Sequence, residues 1–196
     1  FIKNPRINSK GLNTSAIFGF CNSLLEVTNK FDPSHIGVVF DPPGGSDREG
    51  VFADYKANRQ EMPEDIRKAI PYIFDLLKAM NIKVEMEEGF EADDVIGTLA
   101  KQAEKKGFET YMMTPDKDFG QLVSDHIFIY KPGRSGNPSE ILGPKEVCEK
   151  FEVKDPLQVI DILGLWGDAV DNIPGVPGVG EKTAKKLIST LSLIHI

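Results

Sequence analysis

The chain has 196 residues, 40% hydrophobic and 27% charged, enough for one compact core or a core with a small appendage. No stretch is apolar for long enough to span a bilayer, no apolar leader opens the chain, and the two cysteines, Cys21 and Cys148, show neither disulfide-framework nor zinc-ligand spacing. A net charge of −7 argues against a broadly basic nucleic-acid surface, unless the acids converge where divalent metal neutralises them, so their placement matters more than their sum.

Taken in chain order, short apolar strands alternate with amphipathic helices. This pattern predicts an α/β fold with a mainly parallel central sheet flanked by helices. Thr14 to Lys30 reads as a helix with Thr14 as N-cap and Ile17, Phe20, Cys21, Leu24 and Leu25 on one face. Ile36 to Phe40 reads as a buried strand, stopped at Asp41-Pro42-Pro43-Gly44-Gly45. Arg48 to Arg59 is polar and expected to be helical in part. Pro63 to Met80 is a second helix, with Pro71 as a kink candidate. Ile82 to Met86 is a strand candidate, and Ala92 to Lys106 is a helix closed by Gly107. Glu109 to Thr114 and Ile127 to Tyr130 are further strands, and Lys131 to Glu140 is a loop. Helices follow at Pro144 to Phe151 and Pro156 to Trp166, then a glycine-rich hairpin and a last helix. The organisation expected from this order is an α/β core over 1–143, a helix-hairpin-helix-type region over 144–190, and a tail at 191–196.

Acidic residues recur where strands end: Asp41, then Glu91, Asp93 and Asp94, then Asp116 and Asp118, with Asp168 and Asp171 in a later turn. In a parallel α/β sheet the carboxyl ends of the strands share one edge, where ligands bind. Carboxylates gathered there repel one another. A hard divalent cation resolves the conflict, and Mg²⁺ suits an all-oxygen donor set. A pair of such ions activates water and stabilises the leaving oxygen of an in-line displacement. Taken singly, each motif has a plainer reading: Asp41 as a turn residue, Glu91 to Asp94 as first-turn acids on a helix dipole, Asp116-Lys117-Asp118 as a cap. Their joint recurrence is what points to metal.

The stretch Ile173 to Gly180 carries Gly175, Gly178 and Gly180 and leads into a helix with Lys182, Thr183, Lys185 and Lys186. Glycines allow a tight turn, and the N–H groups at the helix start can hold a backbone phosphate without reading bases. A simple helix–helix connection is the plainer alternative. Arg48, Phe52, Tyr55, Lys56 and Arg59 would share a face if their segment were one helix, offering cations to phosphate and a ring to a base. A solvated charged helix is the alternative there.

The runs Tyr55-Lys56-Ala57-Asn58-Arg59, Glu91-Ala92-Asp93-Asp94, Thr114-Pro115-Asp116-Lys117-Asp118 and Gly167-Asp168-Ala169-Val170-Asp171-Asn172-Ile173-Pro174-Gly175 together resemble the 5′-nuclease domain of bacterial DNA polymerase I, within the flap endonuclease superfamily. The resemblance runs from about Gly11 to Thr190. It implies a PIN-like fold and a 5′-3′ exonuclease or 5′-flap endonuclease that works in replication and repair on DNA with a 5′ flap or 5′ end and on RNA primers. It also implies a bacterial cytoplasmic, nucleoid-associated setting and a polymerase module in the full protein. Asp41, Glu91, Asp93 and Asp94 would organise a first Mg²⁺, with Mn²⁺ as its substitute. Asp116, Asp118, Asp168 and Asp171 would organise a second, partly through water. Lys56 would stabilise the transition-state phosphate. Arg48 and Tyr55 would steer the strand under a helical arch, with Arg59 beside them. The hairpin would grip duplex DNA with a monovalent cation such as K⁺. The family opens with a further strand bearing another metal-binding Asp, so the chain alone is expected to be weakly active or inactive. The tail is expected to be foreign sequence or a truncation scar. Rival readings are a noncatalytic branched-DNA-binding module and a PIN-type ribonuclease.

Overall fold

The computed structural model describes residues 4–133 and 137–191. In chain order the elements are α1 (Ser15–Phe31), β1 (Gly37–Val39), α2 (Arg48–Val51), α3 (Glu64–Ala79), β2 (Lys83–Glu85), α4 (Ala92–Lys105), β3 (Thr110–Met113), a 3₁₀ turn (Asp118–Leu122), β4 (Ile127–Lys131), β5 (Glu140–Leu142), α5 (Pro144–Phe151), a second 3₁₀ turn (Pro156–Gln158), α6 (Val159–Trp166), β6 (Gly167–Asp168), β7 (Ile173–Pro174) and α7 (Glu181–Leu191). The chain packs as two compact units, residues 1–40 with 60–86 and residues 41–59 with 87–196.

In the first unit β1 and β2 pair in parallel, Val38 opposite Val84. Ala69, Ile73 and Leu77 repeat every four residues along α3 and are buried with Leu24 of α1. Full burial of a leucine such as Leu77 contributes roughly 1.5–3 kcal/mol. Phe40 and Phe74 meet edge to face, centroids 4.8 Å apart. Helix α3 begins after Pro63 and continues through Pro71. Thr14 holds the N-cap position of α1, but its hydroxyl donates to the Arg6 carbonyl (2.9 Å), and the Ser15 N–H instead donates to the side chain of Asn13 (3.1 Å).

In the second unit β3 and β4 pair in parallel, Met112 opposite Ile129, and β5 runs antiparallel to β4. Ile127, Ile129 and Tyr130 are buried, as befits a strand covered on both faces. Ala100 of α4, Val147 and Phe151 of α5, Val159 and Ile162 of α6, and Ala184 and Ile188 of α7 join the same core. The C-terminal helices are therefore packed on the sheet layer rather than set apart from it.

The α/β class agrees with the sequence; among the described residues two strand pairings, β1–β2 and β3–β4, are parallel and two, β4–β5 and β6–β7, antiparallel. Other details differ. Hydrogen bonds divide the strands into separate sheets, β1–β2, β3–β4–β5 and β6–β7, the first in one packing unit and the other two in the second. The Lys131 to Glu140 loop is bounded by strand residues, and β5 begins inside its limit at Glu140. Residues 134–136 of that loop, and all of the 191–196 tail except Leu191, lie outside the described residues. The Arg48 to Arg59 segment is helical only over Arg48–Val51; turns follow, with Lys56 at φ +55°. No helix among the described residues is long and apolar enough to cross a membrane.

Candidate active site

All the acidic residues singled out by the sequence lie in the second unit. The start of α4 organises the first group. Glu91 caps the helix, and the Asp94 side chain accepts the Glu91 N–H (3.1 Å) in a reciprocal capping box. Asp41 Oδ1 accepts the next exposed amide, Ala92 N–H (2.7 Å). The helix dipole favours negative charge at this end.

Glu91 is only 8% exposed, and its charge is met by donors on both oxygens. Oε1 accepts from Ser46 Oγ (3.0 Å) and Lys56 Nζ (2.7 Å). Oε2 accepts from Tyr55 OH (3.1 Å) and Arg48 Nη1 (3.0 Å). Burial alone would push this carboxyl up, but Lys56, Ser46 and Tyr55 hold it below the usual carboxylate range. Arg48 reaches on to Asp94 (2.6 Å).

The second group lies on the loops after β3 and α6. Asp116 follows Pro115, and its Oδ1 accepts the Asp118 N–H (2.9 Å), folding the turn back on itself. Lys117 Nζ donates to Asp168 Oδ2 (2.7 Å), while Asp168 Oδ1 accepts the Val170 N–H (2.8 Å). Asp171 accepts from Arg59 and, at 3.4 Å, from Tyr55 OH; Lys56 Nζ stands 3.9 Å away. The turn at 54–59 is laced to the 168–172 loop by further bonds: Lys56 N–H to the Asp171 carbonyl (2.9 Å), Asn58 Nδ2 to the Ala169 carbonyl (3.0 Å) and Asn172 Nδ2 to the Asp54 carbonyl (2.7 Å).

Charges from both groups act on Asp93. Asp93 is raised from its ordinary 3.8 to about 6 by lost hydration, and then by the charges of Asp116, Asp41 and Glu91. Asp93 is nonetheless exposed, so water screens both the dehydration and the neighbouring carboxylates. Asp118 is raised by burial, then by Asp116, and its Oδ1 is buried without a hydrogen bond. An all-oxygen donor set with mutual repulsion and an orphaned buried oxygen is the chemistry a hard divalent ion satisfies. As the side chains lie, Lys56, Arg48 and Lys117 neutralise the acids, and among the described residues no three of His, Cys, Asp or Glu converge on one point suited to a metal ion.

Arg48, Tyr55, Lys56 and Arg59 do converge, but through a chain reversal rather than a shared helical face. Phe52, expected alongside them, is not among the residues bonded to the acids. The hairpin is built around close backbone approach. A Cβ on Gly175 would meet the Trp166 carbonyl oxygen at 2.2 Å, and one on Gly167, at φ +78°, would meet Gly175 N at 2.3 Å. Gly178 takes φ +81°, whereas Gly180 has neither positive φ nor a neighbour within 4 Å. Lys182, Thr183 and Lys186 are exposed at the start of α7. Lys185 is not on offer in the same way: its ammonium is held by the Lys150 carbonyl (2.9 Å) and Glu181 (2.9 Å). Helical spacing could not distinguish that inward lysine from its neighbours. Ser46, Asn58, Lys117 and Asn172 were missed altogether. Only Lys117 carried a signal, being flanked by acids in the sequence.

An α/β unit with carboxylates gathered from several loops, interleaved with lysine and arginine and joined to an open glycine hairpin, has the build of an acid-centred nucleic-acid-processing protein. Residues 1–152 match the family described as 5′-3′ exonuclease, N-terminal resolvase-like domain, and residues 154–195 match the 5′-3′ exonuclease, C-terminal SAM fold. The chain belongs to the 5′-3′ exonuclease family. It is 44% identical over 188 residues to DNA polymerase I of Bacillus subtilis (strain 168), covering 96% of this chain and 21% of that protein. It is 40% identical over 188 residues to a 5′-3′ exonuclease of Aquifex aeolicus (strain VF5), covering 96% and 63%. The chain thus spans about a fifth of the polymerase relative and under two thirds of the exonuclease. A solved structure described as divalent metal ions (zinc) bound to T5 5′-exonuclease superposes with a TM-score of 0.70 at 20% identity, covering 88% of this chain and 66% of that one. At that identity the likeness establishes the fold.

Proposed function

We propose that the chain is a metal-dependent 5′-nuclease module. It hydrolyses DNA phosphodiesters near 5′ ends, as a 5′-3′ exonuclease and 5′-flap endonuclease, and it acts on RNA primers as well. The observation that carries this reading is that Lys56 joins the two acidic groups, its ammonium 2.7 Å from Glu91 and 3.9 Å from Asp171 and its N–H bonded to the Asp171 carbonyl (2.9 Å). The structurally similar T5 5′-exonuclease, solved with divalent metal ions (zinc) bound, supports the same chemistry. Two Mg²⁺ ions, or Mn²⁺ in their place, would be held by Asp41, Glu91, Asp93 and Asp94 on one side and Asp116, Asp118, Asp168 and Asp171 on the other. Bound there, they supply an activated water and charge neutralisation at the leaving oxygen.

The chain's own residues do the positioning. Lys56 reaches both Glu91 and Asp171 and offers its charge to a phosphate lying across them. Arg48 is half exposed beside the first group and meets the incoming strand. Tyr55 OH ties Glu91 to Asp171 and keeps the two groups in register. Arg59 fixes the far carboxylate. The 144–190 region acts as the duplex grip: Gly178 and Gly180 leave the backbone open to a phosphate, with Lys182, Thr183 and Lys186 around it and K⁺ as a bridging cation. In the cell the module is fused to or works beside a polymerase, as in the polymerase relatives.

The test is cleavage of a 5′-labelled flap duplex, with Mg²⁺ and with EDTA. It uses the chain as it is. Metal-dependent release of the flap, however slow, is expected. Cutting that persists in EDTA, or no cutting in Mg²⁺, contradicts the proposal.

A further inference from the structure

The geometry points to Lys117 as a built-in counter-ion that occupies the second acidic group and competes with a divalent cation for it. This inference rests on the metal-dependent reading above. Lys117 Nζ lies 2.7 Å from Asp168 Oδ2 and 3.8 Å from Asp118 Oδ1, and it stands 5.0 Å over the ring of Trp166. The lysine and Asp168 side chains are 28% and 15% exposed, so the pair is only partly screened by water.

The ammonium satisfies this group incompletely. It is bonded to Asp168, but 3.8 Å is too long to serve Asp118, whose Oδ1 is buried with no hydrogen bond. A divalent ion at the same place would carry twice the charge and would be held by oxygens of both residues. The lysine therefore holds the loops at 116–118 and 168–171 together while the ion is away, and an ion that binds at this second group must displace it. The flexible four-carbon stem lets the ammonium swing out into solvent, where it is strongly hydrated. Lys117 is a positioning residue in this account, acting through Asp118 and Asp168 without touching the substrate.

The experiment is calorimetric titration of the metal-free protein with Mn²⁺, for the wild type, Lys117→Met and Lys117→Arg. Lys117→Met is expected to bind Mn²⁺ about tenfold more tightly at one site, while Lys117→Arg stays within about twofold of the wild type. Thermal melting gives a second readout. In EDTA Lys117→Met melts at or below the wild type, yet Mn²⁺ raises its melting temperature by more. A purely structural lysine would give the opposite, because a loosened site binds ions less well. Should Lys117→Met fail to fold, Lys117→Gln is read in the same way. Unchanged or weaker Mn²⁺ binding by the neutral variant, with the wild type binding normally, overturns this inference alone. A wild type that binds no Mn²⁺ removes the metal-dependent reading along with it.

Discussion

Glu91→Gln is the sharpest probe of how the site is held together. The substitution keeps the side chain's shape and removes its charge. Both oxygens of Glu91 already accept from more than one donor, Oε1 from Ser46 and Lys56 and Oε2 from Tyr55 and Arg48. An amide has one acceptor oxygen and one NH₂ donor group. Whichever way it turns, the NH₂ meets either the Lys56 ammonium or the Arg48 guanidinium, donor against donor. Removing one partner of a buried ion pair costs about 3–5 kcal/mol. The Lys56 and Glu91 side chains are 19% and 10% exposed, so most of that cost applies to their pair. Arg48 is 47% exposed and well screened, so it adds little. The retained Tyr55 and Ser46 contacts recover part of the loss, which leaves a net destabilisation of about 2–4 kcal/mol. Urea unfolding in EDTA at neutral pH measures it, and a cycle with Lys56→Met isolates the pair, for which a coupling of about 1–3 kcal/mol is expected. A change below about 0.5 kcal/mol with no coupling would refute the view that Lys56 and Glu91 form the site's main strut.

The other predictions address pH, chemistry and the hairpin. Because Asp93 is raised to about 6, the folded metal-free protein holds a proton there that the unfolded chain, titrating near the ordinary 3.8, has lost. Stability in EDTA should therefore fall from this source as pH rises through that window, and Asp93→Asn should flatten the slope in a melting-temperature series. Glu91 works in the other direction: its lowered folded value contributes stability at neutral pH that disappears as pH drops below the usual carboxylate range. Asp116→Asn should reduce flap cleavage by at least about a hundredfold in single-turnover assays while leaving DNA affinity within about threefold; equal cutting would remove Asp116 from the site. Gly175→Ala should destabilise the protein by about 1–3 kcal/mol, since its methyl would strike the Trp166 and Leu165 backbone. Gly180→Ala should leave melting unchanged but weaken duplex binding several-fold, because its only evident neighbour would be an incoming phosphate.

How legible the protein was depends on the range of the interaction involved. Helix α5 was readable to its ends because Pro144 starts it and its apolar residues recur at helical spacing. The start of α4 was readable because acids and the first apolar turn adjoin in sequence. Strand β5 was not, since Ile141 and Leu142 are a short apolar pair beside a proline- and glycine-rich stretch. The Arg48 to Arg59 segment misled for a physical reason. Its spacing fits a helix face, but Lys56 adopts φ +55° and the turn is held by bonds to residues more than a hundred positions away. Such long-range ties leave no local periodicity to read. The place of Glu91, Asp93 and Asp94 at the start of α4 and of Asp116 after β3 was legible in the sequence. The lysines that neutralise them were not, because which ammonium reaches which oxygen is settled by tertiary geometry.

The most direct test of the account is anomalous diffraction from crystals of this protein soaked in Mn²⁺. The account predicts Mn²⁺ peaks at the start of α4 and beside the loops at 116–118 and 168–171, with oxygens of Asp93, Asp116 or Asp168 among the ligands and Lys117 turned away. Peaks absent from that region, or found only at single carboxylates on separate surfaces, would contradict it.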